Sequence, residues 1–243
     1  MDESHNQHRP ELSVVLPAYN EQEALGEAVR TYQEAFRADG LEDYELLIVN
    51  DGSRDRTGEI ADALAAADPR IRVIHNERNL GQSASFLRGF GQARGRVITW
   101  NGADLPFCPR DARRMMDEIA RGADVVVVER ADRKAYGLKR KIVSWTNVMI
   151  LRALFGSPFR DHNFVQFFRR EVVESMRIVS RGVSTTAAQM IFRALRGGRR
   201  VVAVTAQYHQ RTLGTSTITA SKVLRALGET IHLWRTMRRE NRD

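Results

Sequence analysis

Strand-like and helix-like segments alternate through the first half of the sequence, and this alternation limits the fold more than any other feature. The strand-like segments are short apolar runs, at Leu12–Pro17, Tyr44–Val49, Ile71–Ile74, Val97–Trp100 and Val125–Val128. Between them lie stretches with helical spacing of apolar residues, at Glu21–Ala38, Asp55–Ala67, Ser83–Ala93 and Arg110–Arg121. Strands that alternate with helices form βαβ units. We therefore predict an α/β fold, in which helices flank a mostly parallel central sheet.

The second half of the sequence continues with longer helical stretches. It predicts helices at Lys139–Phe155, Ala187–Leu195 and Ser221–Arg239, a short apolar run at Phe164–Phe168 and a strand at Val201–Tyr208. Neither an internal repeat nor a linker interrupts the sequence, so we predict one domain. We expect a flexible tail over residues 1–11, the domain itself over 12–220, and a basic, amphipathic C-terminal helix over 221–243.

The composition supports a packed core and a polyanionic partner. Of the 243 residues, 42% are hydrophobic, which is typical of a globular chain and not of a disordered one. The formal net charge of +8 favours nucleotides, diphosphates, nucleic acid or an anionic membrane surface as partners, although a solvated basic face explains it equally well. Cys108 is the one cysteine, which excludes a disulfide framework and a multi-cysteine zinc site.

Neither a signal peptide nor a membrane span is evident in the sequence. Residues Met1–Glu11 are polar and lack the apolar segment of a signal peptide. No apolar stretch approaches the roughly 20 residues that cross a bilayer. We therefore expect a cytoplasmic chain, whose contact with the inner face of the cell membrane is at most peripheral.

Polar clusters follow four consecutive predicted strands. They are Pro17–Glu21, Asn50–Thr57, Asn79–Gln82 and Asn101–Leu105. Ligands of parallel sheets bind beyond the carboxyl ends of the strands, so these clusters are candidates for one binding site. Neither the Gly-x-Gly-x-x-Gly pattern of dinucleotide-binding folds nor a Gly-Lys-Ser/Thr phosphate loop is present. A nucleotide would therefore be held by side chains and strand-end backbone, with basic residues or a metal ion at its phosphates.

The same clusters resemble the motifs of the family 2 glycosyltransferases, which have the GT-A fold. The resemblance rests on Leu12–Glu21, on Ile48–Ser53 with Asp55 and Thr57, on Asn79–Gly81 and on Ala103–Leu105. Within that family the sequence is most similar to polyprenol-phosphate sugar synthases of the dolichol-phosphate mannose synthase type, over about residues 12–222. The later marks of the resemblance are Arg130, Arg140–Ser144, Asp161, Phe168–Val172 and Arg211–Ser216, and of these Arg140–Ser144 points to the lipid-phosphate branch.

The resemblance implies an inverting enzyme that moves a sugar from a nucleotide-sugar donor to a polyprenyl phosphate of the dolichyl or undecaprenyl type. It implies a set of nucleotide-sugar-binding residues, namely Pro17, Ala18, Tyr19, Glu21, Asp51, Ser53, Gln82, Ala103, Asp104, Arg211 and Ser216. It implies a catalytic set, namely Asp104, Arg130, Arg140, Ser144 and Arg211. Asp104 would also bind Mg²⁺ or Mn²⁺, and Arg130, Arg140 and Ser144 would hold the acceptor phosphate.

Such a transfer depends on cations more than on a base. The nucleoside diphosphate gains negative charge as it leaves, so positive groups at the diphosphate stabilise the transition state. The acceptor phosphate is already an anion, which removes the need for a strong general base.

The sequence departs from the family pattern at the metal-binding motif. The family usually has Asp-x-Asp followed closely by Gln, whereas Gly102 and Pro106 stand at the first Asp and at the Gln here. Of the two Asp residues of the family motif, only the second is present here, as Asp104. Because Mg²⁺ binds one or two carboxylates together with substrate phosphates, one carboxylate can suffice with a lower affinity. Metal-independent catalysis by Arg and Lys, and a loss of donor chemistry, are the other readings that the sequence leaves open.

Two further departures affect the expected substrates. Asn50 stands where the family commonly has Asp, and Asn163–Gln166 stands where Ser-Gly-Phe-Arg is usual. The resemblance implies that the second segment borders the sugar and acceptor pocket. Two alternative functions remain open, and the reduced metal-binding motif is the reason for the second. One is the same donor chemistry on a non-lipid acceptor, such as a glycan or a natural-product intermediate, and the other is a non-catalytic nucleotide-sugar-binding protein. Nucleic acid is not expected as a partner, because the basic residues are scattered and no aromatic-rich binding motif accompanies them.

Overall fold

A seven-stranded sheet forms the centre of the protein. The computed structural model describes residues 8–131, 138–180, 182–207 and 220–240. Within these ranges the strands are β1 (Leu12–Ala18), β2 (Tyr44–Asn50), β3 (Ile71–His75), β4 (Val97–Trp100), β5 (Val125–Arg130), β6 (Gln166–Arg169) and β7 (Val201–Ala206). Their order in the sheet is β3-β2-β1-β4-β6-β5-β7. All neighbouring pairs are parallel except the two that include β6, so the predicted mostly parallel sheet is confirmed.

Helices cover both faces of the sheet. They are α1 (Leu25–Ala38), α2 (Thr57–Ala67), α3 (Gln82–Gln92), α4 (Ala112–Ala120), α5 (Leu138–Phe155), α6 (Arg170–Glu174), α7 (Val183–Arg196) and α8 (Ala220–Arg239). Of the helices that the structure describes, none combines the length and the apolar character that crossing a bilayer requires.

Alternating side chains of the strands divide the core into two layers. Leu16 of β1 packs into the layer that contains Phe36 of α1, and the next residue towards the N-terminus, Val15, packs into the layer that contains Phe86 of α3. Gly89 lets α3 approach β1 closely, because a Cβ atom at this position would collide with Cγ1 of Val15. The second layer also receives apolar residues of α5, α7 and α8.

The start of α1 differs from the sequence prediction. The apolar spacing predicted a helix from Glu21, whereas α1 begins at Leu25. The backbone N–H of Glu21 donates a hydrogen bond to Oγ1 of Thr57 (2.8 Å), and that of Gln22 donates to a carboxylate oxygen of Asp55 (3.2 Å). These contacts with the β2–α2 loop hold residues 21–24 as a turn.

The antiparallel strand β6 was not predicted as such from the apolar run at Phe164–Phe168. It lies between β4 and β5, with Phe168 paired with Ile98 and Phe167 paired with Val126. Because β6 runs against its neighbours, its first residue lies at the edge where their carboxyl ends lie. The segment that precedes β6 is therefore brought to the edge that carries the four polar clusters.

Two consecutive arginines after β6 bind the ends of helices on opposite faces of the sheet. Arg169 donates hydrogen bonds to the carbonyl oxygens of Ile119 (2.5 Å) and Ala123 (2.9 Å), at the end of α4. Arg170 donates to the carbonyl oxygen of Ala93 (2.7 Å), directly after α3. A cation at the C-terminal end of a helix is also favoured by the helix dipole.

The carboxylate of Asp68 predicts a pH-dependent part of the stability. Asp68 accepts hydrogen bonds from the Arg70 guanidinium at 2.8 and 3.0 Å and from the Gln33 amide at 2.7 Å. The Arg70 side chain is the main cause that lowers the pKa of Asp68 to about 2. Because the folded-state pKa is depressed, the stabilisation is present above about pH 4 and is lost as the pH falls towards 2.

We expect Asp68→Asn to lower the free energy of unfolding at pH 7 by about 1 to 2 kcal/mol, since Arg70 is partly exposed and solvent screens the pair. Urea unfolding at several pH values checks this. The difference from wild type should shrink between pH 4 and pH 2. Asp117→Asn, which removes an exposed carboxylate paired with Arg113, is the control and should have little effect. A difference for Asp68→Asn that stays constant over this range would contradict the assignment.

Candidate functional site

The carboxyl edge of the sheet contains a cavity of about 540 Å³. It lies where the ends of β1, β2 and β4 meet the start of α3, the end of β5 and the segment before β6. Its lining residues are Pro17, Ala18, Tyr19, Glu21, Asp51, Asn79, Gly81, Gln82, Trp100, Asn101, Gly102, Ala103, Asp104, Pro106, Arg130, Asn163, Phe164 and Val165. All four polar clusters predicted from the sequence contribute to this one cavity.

The structure brings most of the predicted site residues together. Nine of them line the cavity, namely Pro17, Ala18, Tyr19, Glu21, Asp51, Gln82, Ala103, Asp104 and Arg130. Ser53 lies instead in a neighbouring cavity of about 390 Å³, which shares Tyr19 and Asn79 with the first. Arg140 and Ser144 belong to α5, but their side chains lie outside the described part of the structure. Arg211 and Ser216 lie outside the described residues altogether.

Asp51 joins the end of β2 to the start of α3. One carboxylate oxygen accepts hydrogen bonds from the backbone N–H of Leu80 (2.8 Å) and from the Asn76 amide (2.7 Å), and the other accepts from the N–H of Gly81 (2.9 Å). Burial by itself raises the pKa of Asp51, but these hydrogen bonds, together with one from Ser85, bring the pKa below its ordinary value. The buried carboxylate thus also serves as an anion at the N-terminal end of α3.

A close backbone approach beside Asp51 requires a glycine. Gly52 has a φ of +66°. A Cβ atom there would lie 2.5 to 2.7 Å from backbone atoms of Arg78 and Asn79. Only glycine tolerates both the conformation and the contact. The β2–α2 and β3–α3 loops therefore touch at this point.

The loop after β1 is fixed to the loop after β2 by side-chain hydrogen bonds. The N–H of Asn20 donates to Oγ of Ser53 (3.1 Å), and the N–H of Arg54 donates to Oδ1 of Asn20 (2.9 Å). Burial slightly favours protonation of Asp55, but hydrogen bonds from Thr57 and the Gln22 N–H lower its pKa below the ordinary value. Ser53, which the sequence assigned to nucleotide-sugar binding, thus has a structural role between these loops.

Asn50 sets the tautomer of His75. Oδ1 of Asn50 accepts a hydrogen bond from the Ser53 N–H (3.1 Å), so the amide nitrogen of Asn50 faces Nδ1 of His75 at 3.0 Å. Nδ1 must then accept, which places the ring proton on Nε2, where it is donated to Asp62 (3.0 Å). The Asn50 side chain lines the smaller cavity and not the larger one.

Asp104 provides the carboxylate of the β4–α4 loop that lines the cavity. A Cβ atom at Gly102 would collide with Oδ1 of Asp104, so this carboxylate folds back over the position where the first Asp of the family motif would stand. Among the described residues, no group of three or more His, Cys, Asp or Glu side chains could hold a metal ion. A single carboxylate oxygen donor beside an open cavity fits Mg²⁺ or Mn²⁺ that takes its other ligands from phosphates and water.

Arg130 is held in the wall of the cavity. Its guanidinium forms a bidentate ion pair with Asp161, at 2.5 and 2.9 Å, and lies 5.3 Å from the centre of the Phe164 ring. The carboxylate of Asp161 is almost completely buried. The ion pair fixes the orientation of this guanidinium in the cavity wall, and a guanidinium is a side-chain group suited to the recognition of a phosphate.

The segment before β6 also lines the cavity, although it belongs to none of the predicted strand-end clusters and was not among the predicted site residues. Asn163, Phe164 and Val165 line the cavity although they follow no parallel strand. Gln166, the next residue, is fully buried and accepts a hydrogen bond from the indole N–H of Trp100 (3.3 Å). The family resemblance was the sequence signal that pointed to Asn163–Gln166, because it implies that this segment borders the sugar and acceptor pocket.

A family profile matches the part of the chain that builds this cavity. The profile is that of glycosyl transferase family 2, and it covers residues 13–177. The chain belongs to glycosyl transferase family 2. All the residues that line the larger cavity of this family 2 protein fall within the matched region.

Similar family 2 proteins act on a polyprenyl phosphate according to their names. The chain is 36% identical over 168 residues to the undecaprenyl-phosphate 4-deoxy-4-formamido-L-arabinose transferase of Pseudomonas paraeruginosa, which covers 68% of this chain and 49% of that protein. It is 33% identical over 218 residues to the enzyme of the same name from Pectobacterium atrosepticum, which covers 88% of this chain and 64% of that protein. The chain thus spans about half the length of the first of these relatives.

Solved structures of glycosyltransferases share the fold. Glucosyl-3-phosphoglycerate synthase from Mycobacterium tuberculosis, in complex with phosphoglyceric acid, has a TM-score of 0.69 at 18% identity and covers 92% of this chain and 80% of its own. A mannosyltransferase from Pyrobaculum calidifontis, in complex with GDP-Man and Mn²⁺, has a TM-score of 0.62 at 16% identity and covers 86% of this chain and 59% of its own. At these identities the likeness establishes the GT-A fold.

Asp51→Asn tests whether the buried carboxylate organises the site. The amide would turn its NH₂ group towards N–H donors, so at least one buried donor loses its partner. We expect the free energy of unfolding to fall by about 1 to 3 kcal/mol, and the Leu80 and Gly81 amides to exchange with solvent at least tenfold faster. Hydrogen exchange followed by NMR, with Asp62→Asn as the control for an exposed carboxylate, measures both. Unchanged exchange at these two amides would show that Asp51 does not hold the loop.

Proposed function

We propose that this chain transfers a sugar, with inversion, from a nucleotide-sugar donor to a polyprenyl phosphate. The observation that carries the proposal is the single cavity formed by four strand ends, with Asp104 on one wall and the fixed guanidinium of Arg130 on another. The undecaprenyl-phosphate transferases to which the chain is similar support the choice of acceptor.

The donor nucleoside lies beside the ends of β1 and β2 in this proposal. Pro17, Ala18 and Glu21 form one side of the space, and Gln82 lies opposite at the start of α3. Tyr19 is exposed at the border of both cavities, where its ring offers an apolar face to a base. Asp51 shapes this space through the loop that it holds.

The donor diphosphate lies at the β4–α4 loop. Ala103 and Asp104 line the cavity there, and Asp104 would hold a divalent cation together with the diphosphate. Structures of glucosyl-3-phosphoglycerate synthase, which shares the fold, are complexes with uridine diphosphate and Mn²⁺ or Mg²⁺. The cation, when bound, supplies positive charge to the leaving diphosphate. We include Arg211 and Ser216 as donor-binding residues on the basis of the family motif.

The acceptor phosphate approaches from the Arg130 side. Arg130, Arg140 and Ser144 would bind it, so that one phosphate oxygen attacks the anomeric carbon as the bond to the nucleoside diphosphate breaks. In-line attack inverts the anomeric centre. The attacking oxygen carries no proton to remove. The residues that matter are therefore those that position the two substrates and those that neutralise the charge of the phosphates.

A membrane-facing surface is consistent with a lipid acceptor. α5 is apolar around most of its circumference, yet Leu151 is its only buried side chain over the described positions 145–155. Trp145 of α5 is 65% exposed, and Leu224 of α8, which contacts α5, is 67% exposed. Exposed arginines follow on α8, at Arg225 and Arg235. We propose that α5 and α8 lie on the anionic cytoplasmic surface of a membrane, as an amphipathic basic surface does.

Transfer to lipid tests the proposal directly. The purified chain is mixed with vesicles that contain undecaprenyl phosphate and anionic lipid, and with radiolabelled nucleotide sugars that include nucleoside-diphosphate-linked 4-deoxy-4-formamido-L-arabinose. We expect label to enter the lipid fraction in the presence of Mg²⁺ or Mn²⁺. Asp104→Asn should lower this rate at least 100-fold, because it removes the carboxylate that holds the cation.

The controls separate the alternatives. Asp111→Asn removes a carboxylate of the same segment outside the cavity and should leave the rate unchanged. Trp145→Ser should reduce sedimentation with the vesicles without weakening nucleotide binding. Nucleotide-sugar binding without transfer to any lipid, glycan or small acceptor would contradict the enzyme assignment and favour a binding protein.

A further inference from the structure

The loop that carries Asp104 has a strained backbone. Leu105 has a φ of +48°, in the left-handed region that residues with a side chain rarely adopt. Its N–H donates a hydrogen bond to the carbonyl oxygen of Gly102 (3.0 Å), which closes a tight turn around Asp104. A strained turn persists only where surrounding contacts hold it. The side chain of Asn101 supplies four hydrogen bonds at this loop.

The side chain of Asn101 binds both ends of the loop. Its Oδ1 accepts hydrogen bonds from the N–H of Gly102 (3.1 Å) and of Phe107 (3.4 Å). Its amide nitrogen donates to the carbonyl oxygen of Phe107 (3.0 Å) and to the hydroxyl of Tyr32 (2.8 Å). Both donors and both acceptor positions of the amide are thus used, in a residue that is almost fully buried.

Tyr32 anchors this amide to the core. It belongs to α1, is fully enclosed, and packs edge-to-face against Phe36 at 5.3 Å between ring centres. Burial raises the pKa of the Tyr32 phenol, so the hydroxyl stays neutral and accepts the hydrogen bond from Asn101. The hydrogen bond between Asn101 and Tyr32 therefore fixes the position of the loop relative to α1 in the core.

We propose that Asn101, anchored by Tyr32, is a positioning residue that fixes Asp104 for the divalent cation of the donor. The inference rests on the proposed function. A loop with two carboxylates can bind a cation even if one of them is displaced, whereas Gly102 leaves Asp104 as the sole carboxylate of this motif. Cation affinity then depends on how well the loop is held before binding, since any ordering on binding subtracts from the affinity.

The test compares three variants. Asn101→Leu removes all four hydrogen bonds with little change of volume, and Tyr32→Phe removes one. Tyr44→Phe is the matched control, because the Tyr44 hydroxyl is buried without a hydrogen-bond partner in the described part of the chain. Mn²⁺ affinity is measured by electron paramagnetic resonance in the presence of UDP, GDP, CDP or TDP, whichever wild type binds most tightly. Nucleotide affinity without metal and hydrogen exchange at Gly102 and Phe107 are measured in the same proteins.

We expect Asn101→Leu to weaken Mn²⁺ binding at least tenfold, Tyr32→Phe about threefold, and Tyr44→Phe not at all. Metal-free nucleotide affinity should stay within twofold in all three, while exchange at Gly102 and Phe107 accelerates in the first two. If Asn101→Leu does not fold, Tyr32→Phe decides the question.

Mn²⁺ affinity within wild-type error in a folded variant whose loop exchanges faster would overturn the proposal and leave the proposed function intact. Unchanged exchange would overturn it too, because the amide would then not hold the loop. Wild-type protein that binds none of the nucleotides, with or without Mn²⁺, would contradict the proposed function itself.

Discussion

The buried carboxylate of Asp51 connects more of the site than any other group. It accepts hydrogen bonds from Asn76 and from the first backbone N–H groups before α3, and thereby ties β2, β3 and α3 together at one edge of the sheet. The close contact at Gly52 holds the loop after β2 against the loop after β3. A charge in this position is stable only because every partner is a donor and the helix dipole favours an anion. The nucleoside side of the cavity takes its shape from this arrangement.

The opposite side of the cavity depends on the reversed strand β6. Since β6 is antiparallel to β4 and β5, the chain reaches the carboxyl edge before entering the strand, and it delivers Asp161 and Asn163–Val165 there. Asp161 then fixes Arg130, which extends from the end of β5. Two walls with different origins thus face each other: one from parallel strand ends, which we propose for the donor, and one from the segment before β6, which we propose for the acceptor phosphate.

Local patterns predicted most of the fold, and long-range contacts explain the differences. β4 has the predicted bounds, because its apolar run lies between the polar residues Arg96 and Asn101, which mark both ends of the strand. The start of α1 was placed four residues early, because hydrogen bonds to Asp55 and Thr57 are invisible to apolar spacing. The strand-end clusters contain twelve of the residues that line the cavity, and the family resemblance adds Arg130. The clusters do not include Asn163–Val165, because these residues precede an antiparallel strand and the rule considers only the ends of parallel strands. Likewise, no spacing in the sequence links Asn101 to Tyr32 or Arg130 to Asp161.

The central claim is that a nucleoside diphosphate and a divalent cation occupy the cavity between the β1 end and Asp104. The most direct measurement is a crystal structure of the protein with Mn²⁺ and a nucleoside diphosphate, in which anomalous scattering locates the metal. The account predicts one Mn²⁺ peak within bonding distance of an Asp104 oxygen and of the diphosphate, with the base beside Tyr19. A nucleotide in the smaller cavity alone, or Mn²⁺ bound to the diphosphate with Asp104 turned away, would contradict it.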